Sequence, residues 1–315
     1  METFQKRKEK KMKQKVKNNL FYMRKNYLLY LLVLPAIVLT FIFKYVPIYG
    51  LLIAFKNYNP LQGIIGSEWV GLEHFTRFLS SPNFMILLVN TLKLSVYGLL
   101  LGFFPPIILA ISFNLLASDK LKKRLQLILY APNFISVVII VGMIFLFFSN
   151  KGPVNHIYEF FTGKTVPFLT EPDFFRPLYI FSGIWQGIGW SSILYTATLS
   201  NVSPELIDAA KIDGANILQR IWHVDIPAIK PVMVISFILA AGGIMSVGYE
   251  KAYLMQTTMN LPSSEIIATY VYKVGLQSGD YSYSTAVGLF NSLINLILII
   301  AVNQTVKKLN DGEGL

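Results

Sequence analysis

The chain has 315 residues, of which 54% are hydrophobic and only 14% charged, with a formal net charge of +11 and no cysteine. A soluble domain carries about 25% charged residues, so this balance points away from a soluble enzyme, while the lack of Cys excludes disulfides, thiolate metal sites and cysteine nucleophiles. Ten of the 28 basic residues precede Tyr27, which leaves the rest nearly neutral and gives no nucleic-acid groove.

In chain order, the first 26 residues form a basic tail running from Lys6 to Lys25. A basic run before an apolar one also opens a signal peptide, but here the apolar stretch is too long and Ala-x-Ala cleavage chemistry is missing, so an uncleaved first helix is expected. The tail is expected to enforce topology and touch anionic lipid. A bilayer core of about 30 Å needs about 20 apolar residues per crossing. Six stretches free of Asp, Glu, Lys and Arg meet that need: Asn26–Phe43, Leu94–Ser118, Leu125–Asn150, Pro177–Pro204, Val232–Tyr249 and Ser284–Val306. The fold class expected is an all-α polytopic membrane protein of six helices.

With the N-terminus in the cytoplasm, 19 of the 28 basic residues fall inside, including Lys120, Lys122, Lys123 and Arg124 after the second stretch and Lys307 and Lys308 after the last. Both termini are therefore expected to be cytoplasmic. The expected division is a tail over 1–26, a first spanning helix over 27–55, an outer segment over 56–83, a five-helix core over 84–306 and a C-terminus over 307–315. Within the outer segment, Gly66–Pro82 carries Trp69, Val70, Leu72, Phe75, Phe78 and Leu79, a pattern for a helix lying flat on the outer surface. The outer loops Lys151–Arg176 and Gln256–Tyr283 are polar and long enough to meet a partner.

The inner loop Ser203–Pro227 is the most informative segment. Ser203 caps a helix with Pro204 at its first position and Glu205 at the positive end of its dipole, and Gly214 should end it in a left-handed conformation. A second helix is expected from about Ala215 to Val224, stopped by Pro227. Ile217, Leu218, Ile221 and Trp222 recur at helical spacing. A lipid-seeking helix would be strongly basic on its polar face, whereas Glu205, Asp208, Asp213 and Asp225 outnumber Lys211, Arg220 and Lys230 here. A cytoplasmic protein partner fits better, with packing beneath the chain's own bundle as the alternative.

Asp208-Ala209-Ala210, then three residues, Gly214, nine residues and Val224-x-Ile226-Pro227 resemble the E-A-A-x3-G-x9-I-x-L-P signature of permease subunits of bacterial ABC importers. The spacing is kept, with Asp for Glu, Val for Ile and Ile for Leu. Phe43-Lys44-Tyr45-Val46-Pro47, Trp69-Val70-Gly71-Leu72, Tyr130-Ala131-Pro132, Ala210-Lys211-Ile212-Asp213-Gly214-Ala215 and Ala286-Val287-Gly288-Leu289-Phe290 extend the likeness to carbohydrate importers of the maltose-transporter type, nearest the branch for large oligosaccharides and polyuronide fragments.

That resemblance implies the type I permease fold. It also implies a loop whose Asp208, Ala209, Ala210, Asp213, Gly214, Ala215, Ile217, Leu218, Ile221 and Pro227 dock on a cytoplasmic ATPase. The implied partners are a second homologous permease, an ATPase dimer holding ATP and Mg, an external substrate-binding protein, the lipid bilayer and an oligosaccharide. This chain itself would hold no cofactor.

For the solute path, Glu250 follows the fifth stretch with Lys251, flanked by Tyr249 and Tyr253. An ionisable group at membrane depth is a functional candidate, unless that helix end has simply reached the headgroups. Trp185, Gln186, Trp190, Asn291 and Asn295 lie in spans four and six, where they either line a path or link helices. Lys93 snorkels at the outer end of span two if that helix starts at Leu94, and sits deeper if it starts near Phe84. Pro105-Pro106 marks a kink or a close helix contact.

Gly163-Lys164-Thr165 resembles the end of a phosphate loop, but Tyr158 stands where the first glycine is required. His74, His156 and His223 are too scattered for a shared metal site, and no Ser/His/Asp set converges, so no catalytic site is expected. The rival is an ion-coupled secondary carrier, which often shows inverted repeats and midplane charges. No internal repeat is visible, and membrane charges are few.

Overall fold

The computed structural model describes Tyr22, residues 25–245 and residues 247–309. The basic tail lies almost wholly outside these described residues, as does the end of the C-terminus. Helix α1 (Tyr27–Thr40) continues through a widened turn at Phe41–Tyr45 into a tightened run over Val46–Phe55, so the first helical segment outlasts the apolar stretch that announced it. The chain then makes a two-stranded pairing of β1 (Lys56–Asn57) with β2 (Glu68–Trp69), antiparallel, with Lys56 opposite Trp69. Trp69 stacks on Phe55 with ring centroids 5.7 Å apart.

Helix α2 (Glu73–Leu79) is shorter than the surface helix expected over Gly66–Pro82, and it does not simply lie on lipid. Its Phe78 is buried edge-on against Phe84 and Phe290. This aromatic cluster clamps α2 onto the bundle, because one fully buried Phe contributes about 1.5–3 kcal/mol.

Helix α3 (Asn83–Leu115) runs 33 residues with Pro105 and Pro106 inside it. It starts at Asn83, so Lys93 sits well within the helix, with its side chain exposed. The third stretch is not one helix. Helix α4 (Asp119–Tyr130) gives way to a tight turn over Ala131–Phe134, and α5 (Val137–Phe148) restarts from the Ser136 cap. Pro132 has no N–H and breaks the ladder, and Gln186 satisfies the break by donating to the Ile135 carbonyl at 2.9 Å.

Helix α6 (Pro153–Thr162) follows, and then α7 (Pro172–Ser200) returns across the bundle along α3. Gly189 lets α7 meet the last turn of α4 backbone to backbone, since a β-carbon there would collide with the Leu129 carbonyl. After the Ser203–Pro227 loop, α10 (Ile226–Gly242) runs back along the bundle, α11 (Tyr249–Leu254) and α12 (Ile267–Tyr272) cap its far end, and α13 (Tyr281–Leu309) closes the bundle.

The fifth stretch was expected to be helical from Val232 to Tyr249; instead α10 stops at Gly242 and α11 begins only at Tyr249. Asn291 and Asn295 of α13 hold the gap. Asn295 donates to the Gly242 carbonyl at 2.6 Å and accepts from the Met245 N–H at 3.1 Å, and Asn291 donates to the Met245 carbonyl at 3.2 Å.

Among the described residues, five helical runs are long and apolar enough to cross a membrane: Tyr27–Phe55, Asn83–Leu115, Val137–Thr162, Ile217–Gly242 and Tyr281–Lys308. Helix α7, on the fourth expected span, is 29 residues long but is not among these five runs. Three cores tie the helices together. Leu94, Ile140 and Phe175 centre the outer one, Phe78, Met245 and Val287 the one against α13, and Ile107, Tyr195 and Ile229 the inner one.

Candidate functional site

The inner loop folds locally. The Ser203 hydroxyl accepts from the Glu205 N–H, and α8 (Pro204–Ile212) follows. Its end is a Schellman motif: the Ala215 N–H reaches the Ala210 carbonyl at 2.9 Å and the Gly214 N–H the Lys211 carbonyl at 3.1 Å. Gly214 takes φ +75°, which a side chain would strain. Asn216 then opens α9 (Ile217–Arg220) with a full capping box to Gln219.

Pro227 does not end this second helix. The chain passes through a widened turn over Ile221–Asp225 directly into α10, so the loop and the fifth span are one continuous element. The extra residue in that turn makes room for the Pro227 ring, which would otherwise clash with a carbonyl one turn back.

Ile217, Leu218 and Trp222 are each more than 60% exposed, as is Ile212 at 85%. Ile221 and Ala215 are half-buried. Asp208, Ala209, Asp213 and Pro227 are exposed, with Asp208 paired to Lys211 at 2.9 Å. The apolar side of the loop thus points away from the bundle. Beneath it, Asp225 is fully buried, accepts from Asn114 at 3.2 Å and lies 3.5 Å from Arg220.

Within the bundle, α3, α7 and α10 border an open cavity of about 610 Å³ reached by Trp190, Tyr179, Ser95, Ser191 and Ser236. A contiguous space of about 230 Å³ runs along Gly98, Gly102, Gly183 and Gly187. Two stripes of three small residues at four-residue spacing, Gly98/Gly102/Pro106 and Gly183/Gly187/Ser191, line it. Their spacing was a readable signal that the candidate path residues did not include.

The expected path residues fall on separate surfaces. Trp190 faces the cavity. Trp185, five positions earlier and so on another side of α7, faces an apolar cleft of about 510 Å³ against α5. Tyr249 and Asn291 line a third space of about 740 Å³ bordered by α12 and α13. Tyr253 packs edge-on to Tyr272 at 5.0 Å and accepts from Gln277 at 2.8 Å. Glu250 is exposed, while its neighbour Lys251 turns inward. Both arms of Asn295 are spent on the helix gap.

The sequence pattern of the binding-protein-dependent transport system inner membrane components matches residues 106–311. The polygalacturonan/rhamnogalacturonan transport system permease protein YteP of Bacillus subtilis (strain 168) is 43% identical over 304 residues, covering 96% of this chain and 94% of its own. Protein LplB of the same organism is 42% identical over 288 residues, covering 91% and 90%. Among solved structures, a chain of a bacterial alginate ABC transporter, crystallised with an alginate pentasaccharide-bound periplasmic protein, superposes with a TM-score of 0.84 at 35% identity over 93% of this chain and 98% of that one. Sequence and fold together place this chain in the family of binding-protein-dependent transport system inner membrane components, as a multi-pass transport component.

Proposed function

We propose that the chain is one of two permease subunits of an ABC importer that carries an oligosaccharide inward, with six crossings, both termini cytoplasmic and no ATPase site of its own. ATP and Mg belong to a separate cytoplasmic ATPase dimer, and a substrate-binding protein outside delivers the sugar. The relatives named for polygalacturonan, rhamnogalacturonan and alginate transport support a saccharide cargo. A second, homologous permease supplies the other wall of the path, because one subunit's cavity of about 610 Å³ leaves little room for a large sugar.

The single observation carrying the motor coupling is the uncovered apolar side of the inner loop, with Ile217, Leu218 and Trp222 projecting from an element continuous with α10 and Ile212 from the end of α8 before it. Apolar side chains of this size, grouped on a bent and internally capped loop, suit a groove in a protein partner. A push on the loop then moves α10 and, through Asp225 and Asn114, α3, and these two helices border the cavity. ATP-driven closure of the ATPase dimer supplies the free-energy difference between inward- and outward-facing states.

The natural absence of cysteine makes the test direct. Leu218→Cys in the assembled importer, treated with a bifunctional thiol-to-amine reagent, should crosslink to the ATPase subunit. Crosslinks confined to the chain's own bundle or to lipid would overturn the docking role. Uptake driven by an ion gradient without ATP would favour a secondary carrier instead.

A further inference from the structure

Helix α11 carries Lys251 into the interior, where it is 8% exposed. Its Nζ donates to the Tyr179 carbonyl at 2.9 Å and stands 4.8 Å from the centre of the Tyr179 ring. An ammonium has three donors, and this bond uses one. Among the described residues no carboxylate pairs with it: Glu265 is taken by Lys273 at 2.8 Å and Asp280 by Arg77 at 2.8 Å, and the adjacent Glu250 is exposed. A buried ammonium without a counter-ion is costly, and in a membrane transporter it marks a functional candidate.

The amine's two neighbours on α7 border the cavities. Tyr179 borders both contiguous cavities and Gly183 the smaller one, and no residue lining either is charged. A β-carbon at Gly183 would come within 3.3 Å of the Lys251 Nζ. Lys251 itself lies just behind the wall of these spaces, and glycine at 183 leaves only that residue's bare backbone beside the amine.

We propose that Lys251 is a specificity-determining residue that favours anionic sugar units, its ammonium receiving a uronate carboxylate as the oligosaccharide passes Tyr179 and Gly183. This rests on the reading of the chain as an oligosaccharide permease. A neutral sugar leaves the ammonium uncompensated, so the same group that attracts acidic units discriminates against neutral ones.

The test uses the complete importer in lipid vesicles, with trigalacturonate and its neutral trimethyl ester as probes. The binding protein is unchanged between variants, so each variant is compared with its parent on one probe at a time. Lys251→Met should lower trigalacturonate uptake at least tenfold, leave ester uptake within about threefold, and retain the ATPase subunits; Lys251→Arg should restore much of the loss. Should Lys251→Met fail to assemble, Gly183→Ala keeps the charge but screens it, and should raise the KM for trigalacturonate several-fold with little change for the ester.

Equal losses on both probes, equal losses in Met and Arg variants, or unchanged trigalacturonate uptake would overturn the assignment. A parent that takes up only neutral sugars overturns charge selection and leaves the importer reading intact. A parent that takes up no sugar with ATP overturns the importer reading, and this proposal falls with it.

Discussion

Asn114 donates from Nδ2 to Asp225 Oδ1 at 3.2 Å, joining the last turn of α3 to the widened turn that leads from the inner loop into α10. Asp225 is fully buried, and Arg220 offers an ion pair at 3.5 Å to its other oxygen. Removing a partner from a buried carboxylate costs more than the bond gains, because the remaining charge stays desolvated. Asn114→Leu should therefore destabilise the bundle by about 1–3 kcal/mol and lower the amount of sugar carried per ATP. A thermal melt of the purified assembly and a paired uptake and phosphate-release assay check both; parental values in both would show that the contact transmits nothing.

Gly214 ends α8 at φ +75° with open space around it. A left-handed conformation costs an ordinary L-residue about 1–2 kcal/mol, and a β-branched side chain tolerates it least. Gly214→Val is expected to cut transport and retention of the ATPase at least tenfold while the melting temperature of the bundle stays within a few degrees. Gly214→Asn should be milder, since Asn visits this conformation readily. Normal transport by the Val variant would remove the loop from the mechanism.

Asn295 spans the break in the fifth helix with two hydrogen bonds, to the Gly242 carbonyl and from the Met245 N–H. Asn295→Leu keeps the volume and abandons two backbone groups, at a cost of about 1–3 kcal/mol. Faster hydrogen exchange at residues 243–245 should report it. Exchange rates equal to the parent's would mean that the break is held by Asn291 alone.

Gly189 sits where α7 meets the Leu129 carbonyl. Backbone lies on both sides and cannot move aside cheaply, so Gly189→Ala should cost about 1–3 kcal/mol by overpacking. The expected readout is a lower yield of monodisperse protein on size exclusion. A yield and melting temperature matching the parent would show that α7 can step away from α4.

The inner loop was legible because its determinants are local. Ser203, Pro204, Gly214 and Asn216 act on backbone groups within six residues of themselves, so capping and turn chemistry can be read along the chain. Pro227 misled as a stop signal, because the widened turn at Ile221–Asp225 absorbs it, and such a turn leaves little trace in composition. The break after Tyr130 depends on Gln186 from α7, and the gap after Gly242 on Asn291 and Asn295 from α13. Partners about 50 residues away are invisible to local patterning.

Sequence by itself determined that the chain is an all-helical membrane protein and which loop bears the family signature. Only the tertiary structure decided which side of each crossing helix meets protein: that Trp190 faces the cavity while Trp185 faces an apolar cleft, and that Lys251 turns inward while Glu250 stays outside. The reason is the solvent. In water a buried helix face is apolar and an exposed one polar, but in a bilayer both are apolar, so periodicity marks the faces of a helix without saying which of them touches a neighbour.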